Sequence, residues 1–304
     1  MKKILAFSLL LALPFMGVAQ RHELNKALLL KDVQVLSADS MQGRQSGSAG
    51  NKLAQEYILQ RFRQVGLKPF GEDYRQFFRI GGKRLVVERA VNLVGYIPGK
   101  SEKAIVVTAH YDHVGQRDGH IYNGADDNAS GVGALLAAAG YFAQHKPKHT
   151  LIFAALDGEE LGLQGASAFL GNPPVPLQNI LLNVNLDMLS INDKGELYAS
   201  GAYHNPQLKP YLEQVKPLPQ AKLVLGHDLP DQGHDDWTSQ SDHYPFYKRG
   251  IPFVYFGVED HPHYHKPTDD YVQVNKAFYP DAAALVLDFI RIIDANADKL
   301  RDRK

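Results

Sequence analysis

The chain has 304 residues, enough for one large domain or two small ones, and 44% are hydrophobic and 22% charged, as in ordinary globular proteins. Lys plus Arg and Asp plus Glu each count 33, so no overall charge favours nucleic acid or an anionic membrane. Cysteine is absent, which excludes disulfides and thiolate ligands and leaves His, Asp and Glu as the candidate ligands of any metal.

The first segment has the layout of a secretory signal peptide. Lys2 and Lys3 precede an apolar run over 4–13, and small residues follow at 17–19. The run is shorter than the ~20 apolar residues of a membrane span, so it indicates export without a stable membrane anchor. We therefore predict a periplasmic or secreted protein in which residues 1–19 are a signal peptide and 20–304 form one domain.

The next predicted element is an amphipathic helix over 49–65, with Ile58, Phe62 and Val65 on one face and Gly66 as its stop. From about residue 90 onwards, apolar runs alternate with helical patterns. The runs predict strands buried on both faces, at 104–109, 151–156, 180–186 and 251–256. The helical patterns cover 131–144, 161–170, 208–215 and 280–300. Because no linker or internal repeat interrupts this alternation, we predict an α/β fold with three αβα layers around a mostly parallel, mixed central sheet.

Side chains of the metal-binding type recur in five segments of this alternating region. The segments are 109–112, 124–128, 157–160, 185–188 and 263–267. His110 and Asp187 directly follow predicted strands, and in open α/β sheets the loops at the carboxyl ends of the strands build the site. Two imidazoles and three carboxylates are a donor set that a pair of divalent metals needs to hold a hydrolytic water.

Each motif also has a plainer interpretation when it is taken alone. His110 and Asp112 fit a ligand whose other ring N–H is oriented by a carboxylate, but also an ordinary surface-loop pair. The run over 126–128 offers a short aspartate that can bridge two cations, or a cap in which Asp127 or Asn128 satisfies the start of a helix.

The acidic pair Glu159 and Glu160 has two interpretations as well. One carboxylate can bind metal while the other takes a proton from water, or both can form a solvated acidic helix start. Asp187 ends an apolar run, where a carboxylate must be paired, metal-bound or protonated. His261, His263 and His265 crowd one loop, and spacing alone does not choose among them.

Taken in order, these motifs resemble the M28 family of zinc aminopeptidases along most of the mature chain. The upstream stretches 36–44 and 47–51 look like the N-terminal region of the same family. The resemblance implies two zinc ions per chain, with His110 and Asp187 on one ion, Glu160 and His265 on the other, and Asp126 bridging them. The family pattern chooses His265 because it is followed by Lys266, Pro267, Thr268 and Asp269.

The same resemblance implies roles for three more residues. Glu159 would be the general base and Asp112 the partner that orients His110, while Tyr264 could donate a hydrogen bond to the oxyanion. It also implies a cis peptide bond between Asp126 and Asp127.

The function expected from the resemblance is an exported aminopeptidase that acts on peptides with a free N-terminus. Three rivals stay open: a glutaminyl cyclase-like acyltransferase with one zinc, a carboxypeptidase or other amide hydrolase on the same scaffold, and a binding protein on an inactive peptidase fold. The sequence leaves open the preferred N-terminal residue, the native metal, which could also be cobalt or manganese, and the oligomeric state.

Overall fold

The structure is a computed structural model that describes residues 24–83 and 85–300. Its helices are α1 (Lys26–Leu36), α2 (Ala49–Val65), α3 (Gly131–Gln144), α4 (Gln164–Gly171), α5 (Lys209–Leu212), α6 (His243–Lys248) and α7 (Phe278–Asn296). Its strands are β1 (Lys68–Pro69), β2 (Arg75–Ile80), β3 (Val87–Ile97), β4 (Ser101–His110), β5 (Gly115–Arg117), β6 (His120–Tyr122), β7 (His149–Leu156), β8 (Ile180–Leu186), β9 (Glu196–Ser200), β10 (Lys222–Leu225) and β11 (Phe253–Gly257).

Within these described residues, nine strands form one mixed sheet in the order β1-β3-β7-β4-β8-β11-β9-β10, with β2 also paired to β3. The four central strands β7, β4, β8 and β11 are mutually parallel. Antiparallel pairs β3–β7 and β9–β11 join the flanking strands to this centre. The prediction of an α/β fold with a mixed sheet is therefore confirmed, and the parallel pairing is concentrated in the centre of the sheet.

The three layers follow from the alternation of side chains along the central strands. On β4, Ile105 and Val107 point into an apolar core shared with α1, α2, α3 and α7, whereas Ala104 and Val106 point into a second core with α4 and α6. Successive side chains of a strand face opposite sides of the sheet, so a continuous apolar run has to be covered by helices on both faces.

Most of the predicted elements are confirmed, with small shifts at their ends. Helix α2 has the predicted bounds, because Ser48 caps its start and Gly66, at φ 78°, adopts the left-handed conformation at its end. The helix predicted over 208–215 is shorter, because the segment divides into a 3-10 turn at Pro206–Leu208 and the one-turn helix α5, which ends at Leu212.

Several elements had no prediction, among them α1 and β3. The predicted signal peptide, residues 1–19, lies outside the described residues. In the part of the chain that the structure describes, no helix is both long and apolar enough to cross a membrane.

Candidate metal centre

The carboxyl ends of three adjacent parallel strands bring candidate ligands together. His110 is the last residue of β4, and Asp187 directly follows β8, which pairs with β4 in parallel. His110 Nε2 lies 3.2 Å from Asp187 Oδ1. Glu159 and Glu160 follow β7 on the other side of β4. Neighbouring strand ends therefore deliver side chains that are widely separated in sequence to one edge of the sheet.

Asp127 occupies the middle of this group. It lies in the irregular turn before α3, and its Oδ1 is 3.3 Å from His110 Nε2 while its Oδ2 is 3.0 Å from His265 Nε2. Its carboxylate is buried, with 4% of the side chain exposed. Asp127 thus stands between an imidazole from β4 and an imidazole from the loop after β11.

Asp126 does not occupy that position, so the predicted bridging role of Asp126 is wrong. Its carboxylate faces away from His110 and accepts hydrogen bonds from the Ser190 amide (2.6 Å) and hydroxyl (2.9 Å). The predicted cis peptide bond is displaced by the same single residue, because it joins Asp127 to Asn128. In an irregular turn, adjacent side chains point in different directions, and the order of residues does not say which one faces the site.

A second group of donors surrounds the other side of Asp127. His265 Nε2 lies 3.4 Å from Glu160 Oε2, which distinguishes His265 from its neighbours His261 and His263. His113 was not predicted, yet its Nδ1 lies 2.7 Å from Glu160 Oε1. The sequence could have indicated His113, because it is a second histidine three residues after the candidate ligand His110.

These residues fit a pair of divalent cations. The ligand atoms of His110, Asp127 and Asp187 all lie within 4.8 Å of one another, and so do those of His113, Asp127 and Glu160. His113 Nε2 is buried without a hydrogen-bond partner among the described residues, and the buried His113 Nδ1 and Glu160 Oε1 have only their contact with each other. Buried polar atoms are rarely left unpaired, and carboxylate and imidazole donors suit zinc.

Asp112 lies beside His110, but its contacts differ from the predicted ones. His110 Nδ1 is 3.1 Å from the peptide oxygen of Asp112 and 3.7 Å from its carboxylate. The carboxylate instead accepts the backbone N–H groups of Glu159 (3.1 Å) and Glu160 (3.3 Å). Asp112 therefore fixes the turn that carries the two glutamates, and orients the imidazole through its main chain.

The segment before α2 holds these loops from behind. The fully buried Arg44 donates hydrogen bonds to the peptide oxygens of Tyr111 (2.9 Å) and Gly124 (2.9 Å), which flank the His110 and Asp127 loops. Ser46 donates to Asp157 (2.7 Å), whose pKa is raised to about 7 by burial and by the nearby charge of Asp112. The upstream stretch 36–51 is thus part of the site's support.

The two adjacent glutamates differ in their electrostatics. Burial raises the pKa of Glu159 well above its ordinary value, and the carboxylates of Asp242 and Asp187 raise it further, against the opposing effect of His110. For Glu160, burial and Asp127 act upwards, but contacts with His113 and His265 outweigh them and lower the pKa to about 2. Glu160 is consequently the stronger acid, and Glu159 the side chain with the greater affinity for a proton.

The site opens into a cavity of about 310 Å³. Beyond the candidate ligands, its walls are mainly apolar and aromatic, and include Leu163, Met188, Trp237, Tyr255 and Val258. Tyr264 also lines the cavity, stacked on His265 with ring centroids 4.0 Å apart. Burial raises the pKa of the Tyr264 hydroxyl, so this group is a hydrogen-bond donor at neutral pH. The sequence analysis did not single out Trp237 or Tyr255, whose loop and strand positions carry no recognisable motif.

Comparison with known proteins identifies the family of this chain. The model of peptidase family M28 matches residues 92–290. The alkaline phosphatase isozyme conversion protein of Escherichia coli is 28% identical over 179 residues, which cover 54% of this chain and 51% of that protein. The chain thus spans about half of that relative, and a quarter or less of several vacuolar membrane proteases that it also matches.

Two solved structures share the fold. A zinc aminopeptidase from Bacillus subtilis superposes with a TM-score of 0.66 at 17% identity, covering 87% of this chain and 94% of that one. A glutaminyl cyclase from Bacteroides thetaiotaomicron superposes with a TM-score of 0.69 at 18% identity, covering 88% and 98%. Because both likenesses are at low identity, they establish the architecture and leave the choice of reaction to the site.

Proposed function

Because this chain belongs to peptidase family M28, a family of metallopeptidases, we propose that it is a zinc-dependent aminopeptidase that removes the N-terminal residue of peptides. The observation that carries the proposal is the pair of donor groups that share Asp127, with Glu159 beside them. A shared carboxylate between two donor groups is suited to two ions, whereas a site for one ion needs only a single group.

The donors divide naturally between two zinc ions. His110 and Asp187 would hold one, Glu160 and His265 the other, and Asp127 both, with the buried His113 against Glu160. Zinc bound there would supply Lewis acidity, which lowers the pKa of water to about 7 and polarises the carbonyl of the scissile bond. Four carboxylates, Asp127, Glu159, Glu160 and Asp187, offset the four positive charges of two zinc ions.

The chain's own residues then act on protons and on developing charge. The Glu159 carboxylate takes a proton from the attacking water and returns it to the nitrogen of the leaving amine. The Tyr264 hydroxyl donates a hydrogen bond to the carbonyl oxygen as that oxygen becomes negative. Asp112 keeps Glu159 in place through the backbone hydrogen bond described above.

The form of the cavity supports an exopeptidase. A volume of about 310 Å³ accommodates one residue better than an extended chain that continues in both directions. Asp260 also lines the cavity and adds a carboxylate beyond the four that offset the zinc charges, which favours the positive charge of a free α-amino group. We also propose that the protein acts outside the cytoplasm, on the strength of the signal-like segment over residues 1–19.

The test is hydrolysis of aminoacyl-p-nitroanilides with free and with acetylated amino groups, by zinc-loaded protein. We expect turnover of the free series only, and two zinc ions per chain by elemental analysis. Glu159→Gln should keep its zinc and lose turnover about 10²–10⁴-fold, the usual contribution of a positioned acid–base group. Glu213→Gln, at an exposed position directly after α5, serves as the matched control.

Three results would contradict the proposal. Near-normal turnover by zinc-loaded Glu159→Gln would show that Glu159 is not the general base. One zinc per chain together with cyclisation of N-terminal glutamine would favour an acyltransferase. Equal cleavage of the acetylated series would indicate an amide hydrolase that does not read the amino terminus.

A further inference from the structure

Asp126 and His261, which the donor groups leave out, form a buried contact between two of the site's loops. His261 Nε2 lies 3.0 Å from Asp126 Oδ2, and the Asp126 carboxylate also holds Ser190, three residues after Asp187. No part of the Asp126 side chain is exposed, and only 7% of the His261 side chain is. One carboxylate thereby joins the loop that follows β8 to the loop that follows β11.

A second carboxylate, that of Asp269, connects the loop after β11 to the backbone of the turn before α3. The two oxygens of Asp269 accept the backbone N–H groups of Asp126 (2.9 Å) and Asp127 (3.0 Å), and the Asp269 peptide oxygen accepts that of Ala125 (3.0 Å). Asp269 is fully buried and lies four residues after His265. The loop with His265 is thus held on both sides of that residue, by His261 before it and Asp269 after it.

His265 itself is only partly buried and has a strained backbone. Its side chain is 43% exposed, and its backbone has a φ of 51°, in the left-handed region that non-glycine residues rarely adopt. A residue in this conformation persists when its surroundings hold it there. The contacts on either side of it are the buried anchors that do so.

The hydrogen bonds of Asp126 leave its carboxylate no capacity for a cation. Oδ1 accepts from the Ser190 amide, the Ser190 hydroxyl and the Ser130 hydroxyl, and Oδ2 accepts from the Ile191 amide in addition to the contact with His261. A carboxylate has about four acceptor sites, so these partners saturate it. The residue is built to tie loops together.

We propose that Asp126, His261 and Asp269 form a loop clasp, a set of positioning residues that holds His265 against Asp127 and Glu160. The inference rests on the proposed function in one respect, the assignment of His265 as a zinc ligand. Loss of the clasp lowers the affinity for the zinc ion that His265 helps to hold. It leaves the affinity for the ion held by His110 and Asp187 unchanged. Residues that orient metal ligands typically change metal affinity 10–100-fold when they are replaced.

The test compares three variants, of which His261→Gln and Asp126→Asn break the clasp. His263→Gln is the control, since His263 lies in the same loop but its ring contacts Thr268, on the surface. The first measurement is hydrogen exchange of the zinc-free proteins. We expect faster exchange in peptides covering 188–191 and 259–270 for the two clasp variants, and wild-type exchange for His263→Gln.

The second measurement is zinc retention in a chelator series. Both clasp variants should release one of two zinc ions at a 10–100-fold lower chelator concentration than wild type, and the second ion at the wild-type concentration. The zinc concentration for half-maximal turnover should rise by the same factor, while kcat at saturating zinc falls less than about 5-fold. A purely structural role would lower the folded fraction without moving this zinc dependence.

Unchanged exchange and unchanged zinc retention in His261→Gln would overturn the clasp, and this variant tests it even if Asp126→Asn fails to fold. An equal loss of affinity for both zinc ions would also overturn the clasp, because His110 and Asp187 lie outside it. If the wild type binds two zinc ions but cleaves no peptide, while the exchange and retention differences hold, the clasp stands and the proposed function fails.

Discussion

Buried charges occur in two parts of this molecule, and the two parts treat them differently. Between α1 and α2, Arg61 forms a two-pronged ion pair with Asp32, at 2.7 and 3.1 Å, and Tyr57 donates to the same carboxylate at 2.7 Å. At the metal centre, by contrast, His113 Nε2 and both carboxylate oxygens of Asp242 are buried without a hydrogen-bond partner among the described residues.

The ion pair between α1 and α2 stabilises the fold, whereas the charged groups of the metal centre serve metal binding and catalysis. A paired buried charge becomes costly only when its partner is removed, whereas clustered carboxylates repel one another until cations or protons compensate them. Substitutions between α1 and α2 should therefore reduce stability and spare turnover. Substitutions at the metal centre should abolish turnover and leave the metal-free protein as stable as before, or more so.

The largest effect is expected from Asp127→Asn. The amide keeps the shape of the side chain but cannot neutralise two cations, so kcat/KM should fall by about 10³-fold or more, or about 4 kcal/mol of transition-state stabilisation. Turnover, zinc content and thermal unfolding of the zinc-free protein measure the outcome. A marked loss of stability in the zinc-free variant would contradict the comparison, because Asp127 would then belong to the structural charges.

Arg61→Met should have the next largest effect, on stability. It leaves Asp32 buried without its cation, which costs about 3–5 kcal/mol for a broken buried pair. Urea unfolding measures the loss, and the folded variant should turn over substrate at the wild-type rate. Arg79→Gln, at the exposed pair with Glu88, is the control and should cost less than about 1 kcal/mol.

Tyr264→Phe tests a smaller contribution within the metal centre. It removes the hydroxyl and keeps the ring stacked on His265, so zinc content and stability should not change. If the hydroxyl stabilises the developing negative charge, kcat should fall about 10-fold, or about 1.4 kcal/mol. Steady-state kinetics measure the change, with Tyr244→Phe on α6 as the control. An effect confined to KM would assign Tyr264 to substrate binding instead.

The smallest effect is expected at a third buried charge, His149 at the start of β7, which lies outside the metal centre. Burial lowers the pKa of His149, but hydrogen bonds to Asp294 and Asp298 outweigh that effect and raise it above the ordinary value of about 6.5. A raised folded-state pKa stabilises the fold fully below about pH 6.5, and this contribution disappears as the pH rises through the folded-state value.

We therefore expect His149→Gln to be destabilising at pH 6 and progressively less so as the pH increases, because the stabilising contribution of the charged imidazole is lost. Urea unfolding of wild type and variant across pH 6–9 gives the difference directly. A difference that grows with pH would show that the buried imidazole is neutral in the folded protein.

The central part of the fold was predictable because its signals are local. Strands β4, β7 and β8 are continuous apolar runs, and the parallel sheet follows from their alternation with helices. Strand β3 escaped prediction because its first three residues are partly or fully exposed and two of them are charged, and its buried part begins only at Ala90. Helix α1 offered a side-chain cap at Asn25 but neither acidic residues in its first turn nor basic ones in its last.

For the site, the sequence by itself determined which residue types are available and in what order, including His110, Glu160, Asp187 and the histidine loop. Only the tertiary structure decided that Asp127 rather than Asp126 lies between the donor groups, that His113 joins them, and that His261 anchors the loop in which His265 faces the site. The reason is that side-chain direction in an irregular turn depends on distant contacts. The backbone of 126–127 is held by Asp269, more than 140 residues further along the chain, and no local pattern records that contact.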